Sequence, residues 1–180
     1  IPATDVRKAW WIDTNLYSPL LDKISWNGVT GAEISTLVLD DGSKVAYLPY
    51  TNVKFGMKSG IGSPINNNDY PLMRVEEMIL VEIEGLAKSG QESAAKTKLE
   101  SFVKTYRDPN YTVDAGGRTL DNEIWYQRRV ELWGEGFATS DMMRLNKPLV
   151  RFHDNNPGSF PEAHAFNMPA NDPWRLLRSP

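Results

Sequence analysis

Two runs of apolar residues, separated by one glycine-marked break, set the strongest limit on how this chain can fold. In the first run Leu72, Val75, Ile79, Ile83 and Leu86 recur every three or four residues, the spacing of one helix face. Asp69 is a good N-cap residue and Pro71 suits a first helical turn, so this helix is expected to open near Asp69. Gly90 is expected to close it. The second run places Ala95, Leu99, Phe102 and Tyr106 on one face of a helix from Glu92 to Tyr106, and Asp108-Pro109-Asn110 stops it. Two helices joined by so short a turn must lie antiparallel. The pair has the size of one tetratricopeptide repeat, matches that consensus poorly and has no second copy in the chain.

The residues before the pair are less regular. Trp26 to Glu33 ("WNGVTGAE") and Gly56 to Asp69 ("GMKSGIGSPINNND") read as loops. Between them Asp41-Gly42 sits amid alternating apolar residues, a hairpin signal, with strands expected at 36–39 and 44–48 and a third allowed at 52–55. Beyond the pair, a third helix is expected from Thr119 to about Trp133, broken by Gly134 and Gly136. A shorter one follows from Phe137 to Leu145, ending before Pro148. The proline-containing tail is expected to run extended or turning. The predicted architecture is mainly α: helix pairs, a small β-hairpin and long loops. One region spans 1–180, divided into loops and hairpin at 1–68, helices at 69–147 and a loop-rich tail at 148–180.

The third helix carries "QRRVELWGEGF", Gln127 to Phe137. On a helical wheel Ile124, Trp125 and Leu132 cover one side, and Tyr126, Val130 and Trp133 much of the rest. Glu123, Gln127 and Glu131 are left as a narrow polar strip. Such a helix is buried on most sides. Arg128 falls between Ile124 and Leu132, and Arg129 between Trp125 and Trp133. Charges in such surroundings must be paired, because an isolated one costs several kcal/mol. Arg129 can also stack on an indole face. The expectation is an ionic network of Glu77, Arg128, Arg129, Glu131, Glu135, Asp141 and Arg144 that ties three helices together. Catalysis is the competing reading. On a continuous helix Glu131 and Glu135 lie roughly 6 Å apart, a spacing compatible with glycosidase carboxylates. Each has an arginine within a turn or two, which favours the ionised form, whereas a general acid needs a raised pKa. The structural reading is therefore preferred.

Composition removes several classes of function. The chain has 180 residues, 41% of them hydrophobic, enough for one domain with a real core. A formal net charge of −3 offers no basic face to nucleic acid. The absence of cysteine excludes disulfides and thiolate metal sites. No apolar run approaches the roughly 20 residues that span a bilayer. There is no P-loop, no G-x-G-x-x-G and no nucleophile elbow. "INNNDY" lacks the alternating acidic spacing of a calcium loop. His153 and His164 have no metal or triad pattern around them, so neither metal nor cofactor is expected. With no initiator Met and no signal peptide before Ile1, the chain reads as a processed or truncated piece of a longer protein.

The helical residues also carry a resemblance. "NEIWYQRRVELWGEGFATSDMMRLNKP" resembles the C-terminal signature of the SusD/RagB family through Gln127, Arg128, Arg129, Val130, Glu131, Leu132, Glu135, Gly136, Asp141 and Arg144. "DYPLMRVEEMILVEIEGLAKSG" is similar to the family's preceding helix through Pro71, Arg74, Glu77, Leu80 and Glu84, and "DVRKAWW" and "YLPYTNVKF" suit the region upstream. The pattern departs at Phe137-Ala138-Thr139 and at Gly85, where Ala is more usual. The resemblance spans most of the chain, as the C-terminal portion of a SusD-like fold. It implies a non-catalytic, lipid-anchored lipoprotein of the bacterial outer membrane that binds glycans at the cell surface and delivers them to a SusC-like TonB-dependent transporter. The membrane contact would run only through an anchor outside this chain. The alternatives are a helical-repeat scaffold that binds protein alone and, last, a glycoside hydrolase using Glu131 and Glu135.

Glycan binding needs aromatic faces and amide or hydroxyl donors. Trp26 sits in a glycine-containing stretch beside Asn27, and Tyr17 lies in "NLYSPL". Trp10 and Trp11 are adjacent, so along an extended segment one of them faces away from the core; Trp11 is taken as the contact. Trp26, Asn27, Tyr17 and Trp11 are the candidate sugar contacts, each weighed against the plainer role of pinning a loop to the core.

Overall fold

A computed structural model of the chain describes residues 1–21, 49–55 and 72–149 in full, together with the backbone of short strands at 25–26, 29–30, 36–38, 44–46, 150 and 167–168. The fold is mainly helical. Its contacts divide into two compact units, Ile1–Ala115 and Gly116–Pro180.

The first unit is built on a helix pair, α1 (Val75–Lys88) and α2 (Glu92–Tyr106). The two pack together with Leu80, Ile83, Ala95, Leu99, Phe102 and Val103 inside. Fully burying one large aliphatic or phenyl side chain is worth about 1.5–3 kcal/mol, so this stripe dominates the stability of the pair. The helices are antiparallel. Arg107, capping the end of α2, donates to Glu76 in the first turn of α1 at 3.0 Å, and Lys98 pairs with Glu82. The turn between them closes as Gly90 requires. Gly90 takes φ +81, its N–H donates to the Ala87 carbonyl at 3.2 Å, and the Gln91 N–H reaches Leu86 at 2.9 Å.

Two details of the pair differ from the sequence reading. Helix α1 opens at Val75, because Arg74 is extended (φ −119, ψ 150) and makes no side-chain cap. Leu72 is 90% exposed and Val75 is exposed too, so the inward stripe runs through Leu80 and Ile83. Asp69 and Pro71 lie outside the described residues. At the end of α2 one expected core position also differs. Tyr106 is exposed there, its ring 6.0 Å from Phe102, and Val103 takes the inward position.

The N-terminal segment wraps onto this pair. Asp5 caps a 3-10 helix, Val6–Trp10, by accepting the Arg7 N–H at 2.9 Å. The Val6 N–H donates to the Arg107 carbonyl at 2.8 Å. The chain then pairs with residues 50–53: Ile12 N–H to Thr51 O and Tyr50 N–H to Ile12 O at 3.0 Å, and Val53 N–H to Trp10 O at 2.7 Å. Ile12, Leu21 and Val53 form a small buried cluster, with Leu16 and Leu20 against it. The third strand allowed at 52–55 reduces to a single bridge, Trp11 to Asn52. The Asn52 side chain accepts the Lys54 N–H at 3.1 Å, and this Asx turn diverts the chain from a ladder.

The hairpin is present as β3 (Thr36–Val38) antiparallel to β4 (Lys44–Ala46), with Thr36 opposite Ala46; Asp41-Gly42 lies outside the described residues. Ahead of it β1 (Ser25–Trp26) pairs with β2 (Val29–Thr30) where a loop was expected.

In the second unit Thr119 caps α3 (Leu120–Glu131) through its hydroxyl, which accepts the Asn122 N–H at 3.4 Å. Gly134 and Gly136, at φ 79 and 87, turn the chain into α4 (Phe137–Arg144). That conformation is open to glycine without penalty. Helix α4 ends like α1, with Asn146 (φ 51) in the glycine place and the Lys147 N–H reaching Met142 at 2.9 Å. Two short strands, β5 (Leu149–Val150) and β6 (Asn167–Met168), pair antiparallel in the tail read as loop. His153 and His164 lie outside the described residues. Among those described, no helix is long and apolar enough to cross a membrane.

Candidate functional site

Three aromatic rings in the first unit border one hollow, and each is placed by local backbone chemistry. The Asp13 carboxylate accepts the N–H groups of Asn15 and Tyr17 at 2.8 and 3.0 Å, and the Asp13 N–H donates to the Tyr17 carbonyl at 2.8 Å. This closes a tight loop in which Leu16 takes φ 62. The Ser18 hydroxyl then fastens the loop to the Ala9 carbonyl at 2.5 Å. The result holds Tyr17 at the surface, 42% exposed. Across the backbone pairing Tyr50 takes φ 68 and is 65% exposed, although its N–H is bonded to Ile12. Left-handed backbone costs a non-glycine residue about 1–2 kcal/mol. Two such residues, Leu16 next to Tyr17 and Tyr50 itself, sit at this one place, and stored strain of this kind clusters at functional sites.

Trp11, half-buried at the end of the 3-10 helix, completes the set. Trp11, Tyr17 and Tyr50 line a cleft of about 620 Å³ whose walls are mostly apolar. Among the described lining residues the charged groups are Lys8, Asp13 and the amino terminus of Ile1, all exposed, and Asp5, which is buried. Asp5 is held by Arg7 at 2.7 Å, with Arg7 fully buried. Such a cleft is chemically suited to a ligand with apolar C–H faces and scattered hydroxyls.

The adjacent tryptophans divide differently from the extended-segment expectation. Trp10 ends the 3-10 helix, so both rings are half-buried, with centroids 6.2 Å apart. Trp11 borders the cleft, whereas Trp10 lies under the Lys54 ammonium at 4.6 Å. Trp26 has its backbone in β1; its side chain and Asn27 lie outside the described residues. Of the four candidate contacts, Trp11 and Tyr17 come together. Tyr50 joins them unanticipated: it falls between the strands expected at 44–48 and 52–55, and the left-handed backbone there goes with an exposed ring.

The charged cluster of the second unit has Asp141 as its hub. Arg128 Nε donates to Asp141 Oδ2 at 2.8 Å and Nη2 to Oδ1 at 3.2 Å, while Arg144 Nε donates to Oδ1 at 2.8 Å. Arg128 and Asp141 are both buried. Arg129 is exposed, with its guanidinium 5.0 Å from the Trp125 ring. Lys147 lies 5.3 Å from the same ring and donates to Asn122 at 2.6 Å. The strip of Glu123, Gln127 and Glu131 is buried, so the polar side of α3 faces inward. Hydrogen bonding makes this tolerable: Gln127 donates to Glu123 at 2.9 Å, and Arg118 donates to its other oxygen at 3.0 Å while stacking on Tyr126. Glu131 is fully buried, and neither it nor Glu135 is without a partner. Glu77 belongs to the first unit, half-buried on α1.

Compared with known families, the chain matches the family model described as the SusD family over residues 29–169. The matched stretch takes in all four helices and Tyr50 and begins after Trp11 and Tyr17. No curated protein and no solved structure gives a significant match.

Proposed function

The chain belongs to the SusD family, whose members in general bind glycans at the cell surface without catalysis, and on that premise we propose that Trp11, Tyr17 and Tyr50 are its glycan-contacting surface. Sugar rings have C–H faces that stack on aromatic rings, and their hydroxyls suit nearby polar groups such as Asp13 and Thr4. The observation that carries the reading is the convergence of three aromatic side chains on one cleft. The glycan is then handed to a SusC-like TonB-dependent transporter of the outer membrane, to which the complete protein is attached by a lipid outside these residues. Calorimetry and affinity electrophoresis across a polysaccharide panel test this. Weak binding is expected from these 180 residues and tighter binding from a longer protein that contains them. Loss of the signal is expected on replacing Tyr17 and Tyr50 together by alanine. A chain that ignores every polysaccharide, alone and in the longer protein, would sink the reading.

One observation favours the protein-only scaffold as a second reading. Val75, Met78 and Val81, spaced three apart on α1, are all exposed. Capture of the transporter by a longer protein that binds no sugar would select it. Hydrolysis by Glu131 and Glu135 has no such support, since Glu131 does not reach the surface. Turnover of a glycan, abolished in Glu131→Gln with the melting temperature unchanged, would reinstate it.

A further inference from the structure

We infer that the cleft takes an uncharged glycan and discriminates against acidic or sulfated ones. The inference rests on the reading of the cleft as a sugar site and concerns only which sugars enter it. Recognition of a carboxylate or sulfate calls for a guanidinium or a cluster of cations free to fork onto the anion. Among the described lining residues there is no arginine, and Arg7, next to lining residues Val6 and Lys8 in the chain, is fully buried and holds Asp5 through Nε at 3.0 and 3.2 Å and Nη2 at 2.7 Å. Its guanidinium is buried against the Asp5 carboxylate. Among the described lining residues the exposed charged side chains are one of each sign, Lys8 and Asp13, and the amino terminus of Ile1 adds a positive charge that acetylation removes. The Asp13 carboxylate is fixed in place by two backbone N–H groups, so its negative charge stays at the site. With the amino terminus acetylated, an anion entering beside Lys8 also meets Asp13, and the attraction largely cancels. The rest of the described lining is mostly apolar wall, the hydroxyls of Thr4 and Ser18, and the rings of Trp11, Tyr17 and Tyr50, which reward C–H faces and not charge.

The test is binding of the full chain to two sets of polysaccharides, neutral (glucans, galactans, mannans) and anionic (polygalacturonate, sulfated glycans), at low and high salt. A parallel sample has its amino terminus acetylated, because Ile1 borders the cleft. Neutral ligands are expected to bind with an affinity that changes less than about twofold between low and high salt, since no charge is screened. Tyr17→Ala and Tyr50→Asn are expected to weaken binding about five- to tenfold each, the range of one lost aromatic contact. Asparagine tolerates the left-handed backbone at position 50, and both rings are exposed, so melting temperatures check that the variants stay folded. Lys8→Ala is expected to leave binding within about twofold, as for an exposed single charge. Preferential binding of the anionic set, salt-sensitive and lost in Lys8→Ala, overturns the inference while leaving the sugar site standing. Binding of no polysaccharide by any sample overturns both.

Discussion

Arg128 and Asp141 meet as a buried fork, guanidinium to carboxylate at 2.8 and 3.2 Å, and so lock α3 to α4 across the Gly134–Gly136 turn. Arg144 reaches the same carboxylate from an exposed position. The buried carboxylate and the exposed arginine should therefore respond differently to truncation. Asp141→Ala strips the shared carboxylate from a buried guanidinium and is expected to lower unfolding free energy by about 3–5 kcal/mol. Arg144→Ala breaks a half-exposed pair and should cost no more than about 1 kcal/mol. An apolar pair in place of the fork, Arg128→Met with Asp141→Leu, should recover much of the loss, because desolvation offsets most of what a buried pair contributes. Urea unfolding of the four chains decides it; equal losses for Asp141→Ala and Arg144→Ala would mean that the fork carries no special weight.

The next residue makes the opposite case. Arg129 is exposed and meets α3 chiefly through the face of Trp125, 5.0 Å away. Exposed cation–π contacts are worth about 0.5–1 kcal/mol, so Arg129→Ala should lower the melting temperature by only a few degrees. A loss as large as that of Asp141→Ala would show that the guanidinium is held by more than the indole.

This contrast marks how far the sequence can be read. Helical periodicity identifies residues that share a face, and it located α2 because Ala95, Leu99 and Phe102 are apolar and Asp108 to Asn110 forbid continuation. It does not say which face points inward. The polar strip of Glu123, Gln127 and Glu131 is buried because Arg118 and Gln127 satisfy Glu123, contacts that depend on side-chain geometry and leave no mark on a helical wheel. The opening of α1 differs for a related reason: good cap residues mark where a helix can start, yet Leu72 to Arg74 are not helical and Arg74 is extended. At the cleft, Trp11 and Tyr17 were legible as aromatics in loop-like sequence. Tyr50 was not, since a φ of 68 at a tyrosine has no composition signal.

Gly85 and Gly90, five positions apart in the chain, should respond to the same substitution with opposite signs. Gly85 lies inside α1 with ordinary helical backbone, and a Cβ there would meet nothing within 4 Å. Gly85→Ala is expected to stabilise the chain by about 0.5–1 kcal/mol through helix propensity and a less flexible unfolded state. Gly90 also has open space around a new Cβ, but its φ is +81. Gly90→Ala should therefore destabilise by about 1 kcal/mol from backbone strain alone. Thermal melts of the two variants check this, and a gain in stability for Gly90→Ala would mean the turn does not need its left-handed residue.

Acid should weaken the first unit partly through Glu100. Its Oε1 accepts the Val113 N–H at 3.0 Å and its Oε2 the Lys104 ammonium at 3.3 Å. The backbone hydrogen bond, chiefly, and then Lys104 hold its carboxyl below the ordinary value of 4.5, against the opposing effects of desolvation and Asp114. A carboxylate with a depressed folded pKa stabilises the fold fully above its unfolded pKa. That stabilisation fades as pH falls through the folded value, because the unfolded chain then binds the extra proton first. In Glu100→Gln the amide oxygen still accepts the Val113 N–H but carries no charge. The native chain should therefore melt above the variant at neutral pH, and the gap should narrow as the pH is taken below 4.5. Melting temperatures of both chains along that acid series test the linkage; a gap that stays constant would show that the Glu100 charge does not contribute to folding.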